Sequence, residues 1–283
     1  MPGLVLVSTP IGNLGDMTYR AVAALQAAEL ILCEDTRTTA TLLRHYGIAT
    51  RTAALHDHNE DQQIPFLLAR LTAGARIALV SDAGTPLVSD PGYRLVRAAL
   101  AAGVTVTATP GANAVTTALT LSGLPPHPFL FMGFPPPRAA ARQALFSRLR
   151  AIEQAGLSAT LIFYESPHRT GETLADLAAI FGERPAAMAR ELTKRFEEVV
   201  RAPLTELAAQ FANVAPRGEV TLVVGPAPEE PATQAADLDA LLVEAMRSES
   251  LREAAAGVAA VTGLPRKQVY SRALELKDLQ KGG

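Results

Sequence analysis

The chain has 283 residues, 48% of them hydrophobic and 19% charged: enough apolar material for two domains, and a composition that excludes a disordered chain. A net charge of −2 excludes a surface coated in basic residues but leaves room for a local basic patch. The single cysteine, Cys33, excludes an internal disulfide framework and any multi-cysteine metal or iron–sulfur site; its apolar run Leu30–Cys33 marks it as a small buried hydrophobe.

Met-Pro-Gly leads directly into a strand-like run with no basic leader. No stretch of about 18 apolar residues follows, so a cytoplasmic protein is expected. Apolar runs at Leu4–Ser8, Leu30–Cys33, Thr52–Leu55, Ile77–Val80 and Val104–Ala108 predict strands. Helical spacing predicts helices over Thr18–Ala28, Thr38–Tyr46, Gln62–Thr72 and Tyr93–Ala102. That alternation predicts a parallel sheet covered by helices. The loop after the first strand, Thr9–Asp16, carries Pro10 and two glycines, but the chain has no G-x-G-x-x-G and no P-loop, so nucleotide-phosphate cradles are excluded. His56-Asp57-His58 invites a metal; the adjacent acids do not supply the three or four compatible ligands that zinc needs, and no metal is expected.

Residues 77–92 are the most informative. A buried strand ends in Ser81-Asp82-Ala83-Gly84 and then in a loop stiffened by Pro86 and Pro91, with a second acid, Asp90. Ligands of parallel sheets bind beyond the carboxyl ends of the strands. There Gly84 permits close backbone approach and Asp82 offers acceptors. Glu34–Arg37, His56–His58 and Thr109–Asn113 would gather along the same edge.

Further strands are predicted at Phe129–Met132, Ala159–Tyr164, Ala187–Ala189, Glu198–Arg201 and Val220–Val224, as a mixed sheet after the stiff connector Ser122–Pro128. Phe134-Pro-Pro-Pro-Arg138, followed by Arg142, Arg148 and Arg150, reads as a rigid loop entering a basic helix suited to phosphate contact. Glu165 and Arg169 follow one strand; Arg190, Glu191 and Lys194 follow another. Two such clusters facing the first sheet's polar edge predict a cleft between domains. Neither G-x-S-x-G nor H-E-x-x-H occurs. Residues 226–236 have linker composition, and Leu238–Met246, Leu251–Val261 and Arg266–Leu276 predict three short helices, the last two in a helix-turn-helix pattern. Their charge fits a solvated bundle and a nucleic-acid contact equally.

Four segments in order, Thr9–Asp16, Ser81–Gly92, Tyr164–Arg169 and Arg190–Lys194, resemble the ribosomal RNA small-subunit methyltransferase I family, a branch of the tetrapyrrole-methylase superfamily. The resemblance implies an α/β fold of two domains, residues 1–118 and 119–226, with S-adenosylmethionine in the cleft between them. It also implies a small helical domain over 237–283 and a homodimer. The implied activity is methylation of the ribose 2′-hydroxyl of a cytidine in the decoding region of 16S ribosomal RNA. By the same resemblance Pro10, Asp82, Ala83, Gly84, Thr109, Pro110, Gly111, Asn113, Ala114, Glu191, Leu192 and Thr221 hold the cofactor.

A ribose hydroxyl is a poor nucleophile until a positioned base draws off its proton. Glu165 and Glu191 are the candidate bases; Arg169, Lys194 and Arg37 are placed to stabilise charge or hold phosphate. RNA contacts are expected at Arg37, Arg138, Arg142, Arg266, Lys267 and Arg272. Two rivals remain: a methyltransferase acting on a tetrapyrrole, against which the basic segment and C-terminal helices argue, and a non-catalytic RNA-binding protein, against which the polar strand-end clusters argue.

Overall fold

The computed structural model describes residues 2–227 and 235–281. They cluster into two compact units, one running to Ala227 and one comprising the described residues from Ala235 onward. Residues 228–234 of the linker read from composition lie outside the described residues.

The first sheet is built from β1 (Gly3–Val7), β2 (Leu30–Cys33), β3 (Thr52–Ala54), β4 (Arg76–Val80) and β5 (Val106–Thr109), in the order β3-β2-β4-β1-β5. Every pairing is parallel. The near-continuous apolar strands β2 and β4, at the centre of the sheet, are buried on both faces. Ile77 and Leu79 meet Leu67, Leu71 and Leu95 from α3 (Glu60–Thr72) and α4 (Tyr93–Ala101). Ala78 and Val80 meet Leu25 and Leu43 from α1 (Tyr19–Ala27) and α2 (Thr36–His45) on the other face. Cys33 is buried among the latter. All five carboxyl ends therefore open on one edge.

The expected strand at Val104–Ala108 begins two residues later, at Val106; the Val104 amide closes the preceding turn by donating to the Ala99 carbonyl. The cluster Glu34–Arg37 is largely a helix start: Asp35 caps α2 by accepting from the Arg37 amide at 2.8 Å.

A helix that the periodicity did not single out, α5 (Ala114–Ser122), follows Asn113, whose side chain accepts from the amides of Val115 and Thr116. Its Val115, Ala118 and Leu119 pack on Ile162, Ala187 and Val223 of the second sheet. The expected division at 118/119 thus falls inside a helix, and the chain to Ala227 clusters as one unit.

The second sheet, β6 (Phe129–Phe131), β7 (Thr160–Glu165), β8 (Pro185–Arg190), β9 (Glu198–Pro203) and β10 (Val220–Val224), has the order β6-β7-β10-β8-β9. Only β6 and β7 are parallel, which makes it the expected mixed sheet. Its other face is covered by α6 (Ala139–Gln154), α7 (Thr170–Phe181) and α8 (Leu204–Phe211), with Phe146, Phe163, Leu177 and Leu207 in the core. The contact of α7 with α8 depends on Gly171, where a Cβ would lie 2.4 Å from the Phe211 carbonyl oxygen. Gly171→Val is expected to push the helices apart and to cost about 1–3 kcal/mol in urea unfolding; unchanged stability would refute that contact.

The second unit holds α9 (Ala235–Ala245), α10 (Leu251–Thr262) and α11 (Arg266–Lys281) around Leu242, Val258 and Val269. A capping box of Ser250 and Glu253 starts α10, and left-handed Gly263 ends it. Among the described residues no helix is long and apolar enough to cross a membrane.

Candidate active site

The loop after β4 is fixed from three sides. Thr9 and Gly84 exchange backbone hydrogen bonds of 2.8 and 3.0 Å, and the Ser81 hydroxyl donates to the Gly84 carbonyl at 2.9 Å. Asp82 accepts from the Asp35 amide at 3.1 Å, and Thr85 donates to the Ala112 carbonyl at 3.3 Å. Gly84 is left-handed (φ +82°), and so are the non-glycine residues Leu87 and Ser89 (φ 72° and 68°). Such backbone is held only by over-determining surroundings and clusters at functional sites.

Opposite, the connection from β8 to β9 is also left-handed at Glu191 and Thr193. The Lys194 ammonium lies 2.9 Å from both Glu191 Oε1 and Glu219 Oε2. The Lys194 hydrogen bond holds the Glu191 carboxyl below the usual range. Burial alone would lower the Lys194 ammonium, but its bonds to Glu191 and Glu219 outweigh that and raise it. The two loop systems touch where the Asn13 amide donates to the Thr193 hydroxyl at 3.0 Å.

Between them lies a cavity of about 510 Å³, the size of a small-ligand site. Its wall brings together Asp82, Ala83, Gly84, Ala114, Glu165, Glu191, Lys194 and Thr221 from the expected set. Pro10 lines an adjoining depression that shares Asp82, Ala83 and Lys194. Leu192 is buried beneath, in the core shared with Ile11. Asn113 reaches the loop through Thr85, at 3.2 Å, and a Cβ on Gly111 would crowd Ser8 at 2.9 Å. Pro110 is exposed at the end of β5, and Thr109 lines a separate depression beside Gly3 and Thr107.

Several expected roles change. Glu165 is buried with both oxygens engaged: it accepts from the Ser166 amide (2.7 Å) and the Thr173 hydroxyl (2.6 Å) and pairs with Arg169 at 2.5 Å. Burial, two donors on one oxygen and one on the other hold this carboxylate in place, which suits an anchored wall group better than a base, and Arg169 is one of those donors. Glu191, the other candidate base, is tied to Lys194. Arg142, expected at an RNA surface, is buried against Asp176 at 2.6 Å and Glu172 at 3.5 Å, because its position on α6 faces α7. Arg272 spends its guanidinium on Asp239 and Glu275 within the helical unit. Arg138, Arg266 and Lys267 are exposed. Arg37 is exposed too and bonds only its neighbour Asp35, whose carboxyl it holds at about 2.

Asp90, Phe134, Tyr164, Gly218 and Glu219, none of them among the expected cofactor or catalytic residues, line the same cavity. The Tyr164 ring packs against Phe131 and Phe134, at 4.8 and 5.5 Å between centroids. Burial, helped by the Asp90 charge, pushes its phenol to about 12. Phe134 keeps 55% of its surface exposed beside the buried Pro135.

Residues 3–208 match the model of the tetrapyrrole (corrin/porphyrin) methylases, and residues 232–277 match the RsmI C-terminal HTH domain. The chain is 48% identical over 284 residues to ribosomal RNA small subunit methyltransferase I of Mesorhizobium japonicum, covering 100% of this chain and 95% of the relative. With the protein of that name from Vibrio cholerae it shares 46% identity, covering 97% and 95%. The chain belongs to the ribosomal RNA small subunit methyltransferase I family. Solved structures similar to this family member include diphthine synthase, with a TM-score of 0.59 and 17% identity, covering 78% of this chain and 89% of that one. A uroporphyrin-III C-methyl transferase from Thermus thermophilus, complexed with S-adenyl homocysteine, aligns with a TM-score of 0.53 at 20% identity, covering 79% and 97%. At these identities the likeness is one of fold.

Proposed function

We propose that this chain is an S-adenosylmethionine-dependent methyltransferase of small-subunit ribosomal RNA, and that its acceptor is the ribose 2′-hydroxyl of a cytidine in the decoding region. The observation that carries the reading is similarity extending over the whole chain, through the helical unit, to relatives of that name. The uroporphyrin enzyme aligns over 97% of its own length with only 79% of this chain, which leaves a part of this chain without a counterpart in that enzyme.

The cavity suits the cofactor. Its wall carries Asp82, Asp90, Glu165, Glu191 and Glu219 against one lysine, an environment favouring a cationic sulfonium, while Ile11, Val88 and Ala114 supply apolar contact. The Asp82–Gly84 loop, Glu191, Leu192 and Thr221 would hold it. Bound there, it would supply an electrophilic methyl carbon on a positively charged sulfur. The chain's own part is alignment, which provides much of the acceleration of an in-line displacement. Lys194 fixes two wall carboxylates in place. Exposed Phe134, on its proline-stiffened loop, is suited to stack an unpaired base. Arg37 and Arg138 are placed to take phosphates; Arg37's exposed pair with Asp35 is weak enough to exchange.

A labelled-methyl transfer assay offering small ribosomal subunits, free ribosomal RNA and tetrapyrroles tests the reading. Label is expected in RNA as an alkali-resistant linkage after a cytidine; label in a tetrapyrrole, or in a base, would overturn it. The reading includes a homodimer, expected to show twice the chain mass by light scattering. Deleting residues 237–283 should weaken RNA binding at least about tenfold, since Arg266 and Lys267 are lost, and leave S-adenosylhomocysteine binding unchanged. Equal RNA affinity would return these helices to a structural role.

A further inference from the structure

The acceptor hydroxyl needs a base, and the carboxylates that line the cavity differ in what already holds them. Both oxygens of Glu165 are bonded, Glu191 and Glu219 share the Lys194 ammonium, and Asp82 is fixed to the Asp35 amide. Asp90 lines the same cavity, and among the described residues its carboxylate has no ion pair or hydrogen bond. It follows left-handed Ser89, which lies against Gly133: a Cβ there would meet the Ser89 hydroxyl at 3.4 Å. The Asp90 segment is thus seated on the loop that carries Phe134.

We propose that Asp90 is the general base that takes the proton from the acceptor ribose hydroxyl. The proposal rests on the RNA 2′-hydroxyl reading. The hydroxyl proton passes to an Asp90 carboxylate oxygen while the ribose oxygen forms its bond to the methyl carbon. The methyl–sulfur bond breaks with its electron pair remaining on sulfur, and the neutral thioether leaves. Charge balances: the sulfonium loses its positive charge as Asp90 loses its negative one.

The surroundings suit the task. Burial, then the negative charges of Glu34 and Asp82, push the Asp90 carboxyl up to about 7. Glu34 directly follows β2 and is itself raised, by burial and then by Asp82 and Asp57, with His56 opposing them. From the second sheet Tyr164 faces Asp90 as a neutral phenol, and the lysine lining this cavity is engaged by Glu191 and Glu219. A base whose pKa lies near working pH is ionised while still basic enough to draw a proton. Below about 7 the carboxyl is protonated and cannot accept; above it the base is ready.

The test uses the full chain with small subunits or ribosomal RNA, whichever the wild type methylates. Asp90→Asn is expected to lower single-turnover transfer at least about 100-fold and to remove the wild-type rise in rate centred near pH 7. Calorimetric S-adenosylhomocysteine affinity should stay within about twofold. By carboxyl-carbon NMR, one aspartate titrating near 7 in the wild type should vanish in the variant. A variant keeping more than a tenth of the rate, or an unaltered pH profile, overturns the assignment. Lost S-adenosylhomocysteine affinity in both Asp90→Asn and Asp90→Ser would make Asp90 a cofactor-holding residue and overturn it too. A wild type that labels no RNA overturns the functional reading and this assignment with it; an active wild type beside an active Asp90→Asn overturns this assignment alone.

Discussion

Replacing Arg184 with methionine is expected to destabilise the chain by about 3–5 kcal/mol, the cost of leaving one member of a buried ion pair alone. Arg184 is almost wholly buried and meets Glu153 twice, at 2.5 and 2.7 Å, with its guanidinium over the Phe181 ring at 4.9 Å. It joins the end of α6 to the start of β8. The variant would strand the Glu153 carboxylate with only Arg150, at 3.5 Å and partly exposed. Adding Glu153→Leu should recover most of the loss, because an apolar pair of similar volume avoids the desolvation of two charges. Urea unfolding of the two single variants and the double variant measures the coupling. A double variant no more stable than Arg184→Met would mean that the pair's geometry, not its charge, holds these elements together.

That pair also shows where sequence reading reached its limit. Arginines around α6 read as one basic face, yet Arg142 is buried on acids of α7 and Arg150 leans toward Glu153; only Arg138 and Arg148 of that set are exposed. That Arg142 turns inward depends on Glu172 and Asp176, 30 and 34 positions away, which local pattern does not contain. The first sheet was legible because its strands are short β-branched runs that end abruptly in polar residues. Parallel pairing then gathered Ser8–Thr9, Glu34 and Ser81–Asp82 on one edge, as expected. Helix α5 escaped notice because Ala114–Ser122 is rich in threonine, a weak helix former that the buried face and the Asn113 cap override. The ionisation of Asp90 was not legible either, since it is set by residues from other strands. The loop that the resemblance assigned to the cofactor, Asp82–Gly84, lies on the wall of the cavity. The resemblance could not separate free carboxylates from paired ones, and Glu165 was therefore expected as a base.

Gly12→Val is expected to weaken S-adenosylhomocysteine binding about 10–100-fold while leaving the fold intact. Gly12 sits where the loop after β1 meets the Glu191–Lys194 connection, and the approach leaves no room for a side chain. A Cβ would lie 2.4 Å from Lys194 Cγ, 2.9 Å from the Thr193 hydroxyl and 3.0 Å from the Leu192 carbonyl oxygen. The last of these is backbone and cannot swing aside. The connection must move, taking with it Glu191 and Lys194, two residues of the cavity wall, and straining the Asn13–Thr193 hydrogen bond. Overpacking of this kind costs about 1–3 kcal/mol, and a cost met only when the wall must close on a ligand appears as about tenfold in affinity for each 1.4 kcal/mol. Gly257→Ala is the matched control: it lies in α10 with nothing within 4 Å of the added carbon, and should leave affinity unchanged and stability equal or slightly higher. Calorimetry on both variants decides the matter. Wild-type affinity in Gly12→Val would mean that the cofactor does not depend on the closure between the two loop systems, and the cavity between them would lose its claim to be the methyl-donor site.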